Sequence, residues 1–152
     1  MSNVADRLAE LGLTLPAVAT PVAAYVPAVR TGSFVYTSGQ LPLVEGKLTV
    51  TGLLGAEVTP EVGYEQARLC GLNALAAVAS VVDLDDVVRI VKAVGFVASA
   101  PGFTGQPGVV NGASELFGAV FGEAGKHARS AVGVAALPLD APVEVELIVE
   151  VR

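Results

Sequence analysis

From Val143 to Val151 the chain alternates without a break. Val143, Val145, Leu147, Val149 and Val151 fall on one side, and Glu144, Glu146, Ile148 and Glu150 on the other. A strand has a side-chain period of two, so these sets lie on opposite faces. The apolar face has to be buried against another layer. The glutamate face is either solvated or turned toward a site that uses carboxylates. Just upstream, His127 to Pro138 reads H-A-R-S-A-V-G-V-A-A-L-P, one arginine heading a run of small and apolar residues.

At 152 residues the chain is expected to form one domain. A chain of this size buries roughly 70% of its unfolded surface, enough for a core without disulfides or metal. Only 16% of residues are charged, against about 25% in an ordinary globular protein. That predicts a sheet covered on both faces and an oligomer hiding part of its exterior. The net charge is −6, with nine scattered Lys and Arg. This disfavours a nucleic-acid binder acting through phosphate neutralisation. Cys70 has no intrachain partner, and Met1 to Gly12 carries Asp6, Arg7 and Glu10. Neither an oxidising compartment nor a secretory leader is expected. The apolar helical run Leu69–Val82 is too short for a membrane span, and the uncharged stretch 93–114 is cut by Pro and Gly. The expected location is cytosolic.

The spacing of Val4, Leu8 and Leu11 predicts a short helix over 3–11 ended by Gly12. Residues 14–27 are extended and punctuated by proline. Val29 to Gly32 reads as a turn, Ser33 to Gly39 as a strand, and Lys47 to Val50 as a short strand after Gly46. Thr59-Pro60-Glu61 is a strong helix start, since threonine caps, proline suits the first turn and glutamate complements the dipole. The helix is expected to reach about Val82. Its stripe of Tyr64, Ala67, Gly71, Ala74, Leu75 and Val78 permits close packing. Val87 to Ala98 is a long, mostly covered strand. A Pro/Gly loop over 99–108 leads to a second helix from about Val109 to Glu123, with Gly125 as its stop. A closing pair of strands follows. The order β-β-(β)-α-β-α-β-β predicts an α+β mixed sheet with hairpins at both ends and both helices on one face. The other face would be covered by association.

No metal or phosphate-loop motif is present. A serine-hydrolase triad would need His127 as its base, and T-S-G-Q around Ser38 is not the G-x-S-x-G elbow. Cys70 reads as a small core hydrophobe and His127 as a surface residue at a strand entry. Arg129 has two readings. One is an ion pair with a carboxylate such as Glu144 or Glu146. The other is a bidentate clamp for a carboxylate ligand.

These motifs resemble the RidA/YjgF family of small trimeric proteins, also labelled L-PSP endoribonucleases. The resemblance rests on A-R-S-A-V-G-V-A-A-L-P followed by V-E-V-E, on Tyr25 followed by F-V-Y-T-S-G-Q-L-P, and on Asn111 inside the second helix. It covers residues 23–151, and the N-terminal helix over 1–12 is extra to it. It implies a chorismate-mutase-like α+β fold, a homotrimer with a barrel-like core, and ligand clefts between subunits. It also implies hydrolytic deamination of amino-acid-derived imines and enamines, such as 2-aminoacrylate, to 2-keto acids without a cofactor. Carried over by motif, Arg129 would clamp the substrate carboxylate and Glu144 would hold the attacking water. Tyr25, Ser38, Gly39 and Asn111 would line the cleft. Ala131 stands where deaminating members often have cysteine, and Gly133 where many have glutamate. The enlarged 99–108 loop would reshape or cover the cleft. Alternatives are a non-catalytic trimer holding a small carboxylate metabolite and, disfavoured by the net acidity, a ribonuclease.

Overall fold

The computed structural model describes residues 3–21 and 23–152. Met1, Ser2 and Val22, the last within the stretch expected to be extended, lie outside the described residues. Helix α1 (Val4–Glu10) is capped by the Asn3 side chain, and Gly12 leaves it with a left-handed φ of 71°. Strands β1 (Ala28–Thr31) and β2 (Phe34–Thr37) form a hairpin, followed by the two-residue strands β3 (Leu43–Val44) and β4 (Lys47–Leu48). Then come α2 (Pro60–Ala79), β5 (Val87–Ala98), α3 (Gln106–Phe121), β6 (Ala128–Val134) and β7 (Val143–Val151). No described helix is long and apolar enough to cross a membrane.

Three expectations are corrected. Val29 to Thr31 is not a turn but the paired half of β1, in register with β2 from Ala28–Thr37 to Thr31–Phe34. The turn is Gly32–Ser33, where Gly32 takes a φ of 57°. The α3 stop is Gly122, with φ 62°, and not Gly125. The closing strands are not a hairpin. The sheet order is β1-β2-β7-β5-β6, so β5 lies between β6 and β7. β6 runs parallel to β5, while β7 inserts antiparallel between β5 and β2.

Strand β7 is buried at every odd position and half-buried at every even one. Its valines and Leu147 meet α2, whose Ala67, Cys70, Ala74 and Val78 are fully enclosed. Cys70 is thus the small core hydrophobe expected of it. Tyr64 leaves the predicted stripe: half-exposed, it donates to Glu115 of α3. Helices α2 and α3 touch through glycine. A Cβ on Gly112 would lie 2.9 Å from the Tyr64 carbonyl carbon and 3.1 Å from the Arg68 nitrogen. Both helices therefore cover one face of the sheet. The other face exposes Val29, Phe34, Tyr36 and Val132.

Candidate functional site

Register determines which side chains can meet. Residues paired across a sheet share a face. Arg129 pairs with Ala93, and Ala93 with Leu147, so Arg129 lies on the helix-covered face. Glu144 pairs with Phe96, and Phe96 with Val132, so Glu144 lies on the open face. Within one chain the two point away from each other. The ion-pair reading of Arg129 is therefore overturned: among the described residues it pairs with neither Glu144 nor Glu146.

The Arg129 half-site is built by α3 and the start of β6. One guanidinium nitrogen, Nη1, donates to Asn111 Oδ1 at 2.8 Å and to Ser114 Oγ at 3.2 Å. Nη2 donates to the Pro107 carbonyl at 3.4 Å. Of the five N–H donors of an arginine, Nε–H and one Nη2 hydrogen keep no protein acceptor among the described residues. The fork is thus fixed at its far end and free at its near end.

His127 stands half-exposed at the entry to β6, as expected, but its ring is held on both nitrogens. Its ring lies edge-on to Phe117, with centroids 5.6 Å apart. Nδ1 is 2.6 Å from the Gly125 carbonyl and Nε2 is 2.9 Å from Ser114 Oγ. A carbonyl can only accept, so Nδ1 carries the proton and Nε2 of the neutral ring accepts from Ser114. Gly125 is held there for closeness, since a Cβ would fall 2.6 Å from the Phe117 carbonyl carbon. Ser114, Gly118, Lys126, His127 and Arg129 line one open cleft of about 310 Å³. Sequence reasoning missed Ser114. It matched no motif, and only the α3–β6 packing brings it to His127.

The second half-site grows from an irregularity in β2. Tyr36 pairs with Ile148, but the next pair is Gln40 with Val145. Thr37, Ser38 and Gly39 therefore oppose only Glu146 and Leu147. This is a bulge, a device that re-aims backbone at the expense of the ladder. Thr37 Oγ1 accepts from the Leu147 amide at 2.9 Å, partly replacing the lost bonds. Ser38 Oγ donates to the Val26 carbonyl at 2.6 Å, which anchors the segment before β1. Gly39 rests on Glu144: a Cβ there would lie 2.7 Å from the carboxyl carbon. Burial, then the neighbouring Glu146, raises the Glu144 carboxyl above the ordinary range. Tyr25 is 52% exposed and shares a groove of about 100 Å³ with Gly39, Gln40, Leu41 and Leu139. The six candidate residues thus form two groups, Asn111 with Arg129, and Tyr25, Ser38 and Gly39 with Glu144.

The loop before α3 is exposed along much of its length but tied to its neighbours. Ala100 N donates to the Leu54 carbonyl at 2.9 Å, and Gln106 Nε2 bonds Ser99 Oγ at 3.2 Å and the Phe103 carbonyl at 2.8 Å. The Gln106 amide fills the space over Gly133, where a Cβ would lie 2.8 Å from Nε2. Among the described residues, no three His, Cys, Asp or Glu side chains cluster as a metal site.

A helix pair laid on one face of a mixed sheet is the architecture of a known class. Residues 5–151 match the family described as "YjgF/chorismate_mutase-like, putative endoribonuclease". The chain belongs to this YjgF/chorismate-mutase-like family. Protein TCP17 of Trypanosoma cruzi is 48% identical over 152 residues, covering 99% of this chain and 95% of that protein. The crystal structure of Atu1372 from Agrobacterium tumefaciens, a protein of unknown function, is similar at a TM-score of 0.92. It has 47% identity, over 98% of this chain and 92% of that one. TdcF of E. coli, crystallised with bound serine, is similar at a TM-score of 0.62, with 29% identity over 91% and 95% of the two chains.

Proposed function

We propose that the protein is a hydrolytic deaminase of amino-acid-derived imines and enamines, working in clefts between the subunits of a homotrimer. The observation that carries this reading is the Arg129 fork, braced by Asn111 and Ser114 with Nε–H and one Nη2 hydrogen unused. Such an edge suits a carboxylate, and charge-assisted hydrogen bonds of this kind contribute about 1.5–3 kcal/mol each. TdcF with bound serine offers a relative holding an α-amino carboxylate. Because Arg129 and Glu144 face opposite sides of one sheet, a complete site needs Asn111 and Arg129 from one copy and Gly39 and Glu144 from another. The exposed Val29, Phe34, Tyr36 and Val132 give the open face the apolar character that association would cover. In the assembled cleft Arg129 orients the substrate, Glu144 holds water against the electrophilic imine carbon, and Tyr25, Ser38 and Gly39 line the wall. Orientation of this kind replaces much of what a cofactor would otherwise supply.

The test is keto-acid formation from freshly generated 2-aminoacrylate. Turnover well above that of Arg129→Ala supports the reading, and equal rates refute it. A second reading is a trimer that binds a small carboxylate without turning it over. It is favoured by Gln106, whose amide occupies the space above Gly133 where many relatives would place a glutamate. Stabilisation by 2-keto acids together with absent turnover would select it. The endoribonuclease label gains nothing from a chain of net charge −6.

A further inference from the structure

We infer that Ser114 and His127 form a proton relay opening on the Arg129 cleft, an inference that rests on the deaminase reading. The chain of contacts is continuous. The Gly125 carbonyl fixes Nδ1–H of His127 at 2.6 Å, which leaves Nε2 as an acceptor 2.9 Å from Ser114 Oγ. Ser114 Oγ accepts in turn from Arg129 Nη1 at 3.2 Å. The serine hydroxyl thus donates toward the histidine while its oxygen sits beside the arginine that would hold the substrate. Phe117 backs the imidazole edge-on, and the cleft of about 310 Å³ leaves the opposite side open. A hydroxyl between a base and a bound substrate can pass a proton either way by turning about its C–O bond. Ser114 would touch the substrate. His127 acts through it and stores the proton.

The balance closes without any further reagent. The substrate enters as the protonated imine: water adds to its carbon as the C–O bond forms, the C=N π pair moves onto nitrogen, and a water O–H bond breaks. That proton goes to Ser114 Oγ while the serine proton passes to His127 Nε2. In the second half the imidazolium returns its proton to Ser114, and the serine proton passes to the amine nitrogen of the carbinolamine. The C–N bond then breaks, the C=O bond forms, and the remaining hydroxyl proton leaves with the amine as ammonium. No electrons are exchanged with a cofactor.

This division of labour predicts a split between kcat and KM. Removing general acid–base assistance costs roughly 100- to 10,000-fold where it is fully lost, and less where bulk water substitutes. His127→Gln and Ser114→Ala are expected to lower kcat for 2-aminoacrylate at least tenfold. KM should change less than threefold, because Asn111 and the Pro107 carbonyl still hold the Arg129 fork. Ser114→Thr, which keeps the hydroxyl, should retain most of the rate. Added imidazole should restore part of the rate to His127→Ala, which a purely structural role would not allow. Circular dichroism melts establish that each variant folds, and if the His127 variants do not, Ser114→Ala and Ser114→Thr decide. Wild-type kcat in Ser114→Ala overturns the relay and leaves the deaminase reading standing. A raised KM at unchanged kcat also overturns it, making these residues part of the clamp. Wild-type turnover no faster than Arg129→Ala overturns both.

Discussion

Gly39 lies so close to Glu144 that a single methyl group on it would stand 2.7 Å from the carboxyl carbon. The bulge at Thr37–Gly39 creates this contact, and the far end of a glutamate can swing away from it. Gly39→Ala is therefore expected to displace the carboxylate rather than unfold the chain. Turnover should fall at least tenfold, with a stability loss of about 1 kcal/mol or less. Steady-state kinetics beside urea unfolding checks both halves of this statement.

Arg129→Lys keeps the charge but loses the planar fork. Binding of pyruvate, followed by calorimetry, should weaken about tenfold or more, as expected for one lost charge-assisted hydrogen bond. Arg129→Ala should abolish detectable binding. If lysine binds as well as arginine, the bidentate geometry assigned to the site is wrong.

The raised Glu144 carboxyl has a consequence for stability. Burial is the first cause and Glu146 the second. A raised folded-state value means that the native chain binds this proton more tightly than the unfolded chain does. Its contribution is present at low pH and is lost as pH climbs from the ordinary carboxylate range through the raised value. Relative to Glu144→Gln, the wild type should lose stability over that window. In Glu146→Gln the loss should be smaller. Urea midpoints measured across the mildly acidic range would show it, and parallel curves for all three proteins would contradict it.

The open sheet face offers a direct test of association. Phe34 is 39% and Val132 43% exposed. Val132→Asp would place a charge where another copy is expected to pack, and burying an unpaired charge is strongly unfavourable. Sedimentation should show the wild type as a trimer and Val132→Asp as smaller species. A monomeric wild type would remove the inter-subunit cleft altogether.

Gly112 tests the helix layer independently of function. Its missing Cβ is what lets α3 approach the Tyr64 and Arg68 backbone of α2. Gly112→Ala gains helix propensity but overpacks the contact. A net destabilisation of about 1–3 kcal/mol is expected, measured by thermal or urea unfolding.

Much of the layer arrangement was legible in local pattern. The bounds of β5 are those read from Val87 to Ala98, because a run that is apolar but for Arg89 and Lys92 lies between Asp86 and Ser99. Thr59 caps α2 as its sequence demands, accepting from Val62 N at 3.3 Å. β1 was not legible. Arg30 and Thr31 look like turn residues, and only their pairing with β2 makes them a strand. The position of β7 beside β2 was hidden for the same reason, since the run after His127 contains nothing that reports its partner. Arg129 and Glu144 were found by motif, yet the face each occupies depends on the registers of two ladders. Ser114 was invisible because a lone helical serine acquires meaning only from the ring that His127 lays against it.

The sheet order also constrains how the chain is made. β7 joins β2 on one side to β5 on the other, yet it is the last of the strands in chain order. Until it emerges from the ribosome, the β1–β2 hairpin and the β5–β6 pair have no common partner. Helix α2 likewise lacks the apolar row, Val143 to Val151, against which it packs. The nascent protein would carry two exposed strand edges and an uncovered helix until β7 is made. Folding would then come late and all at once, as one strand slides between two waiting ones.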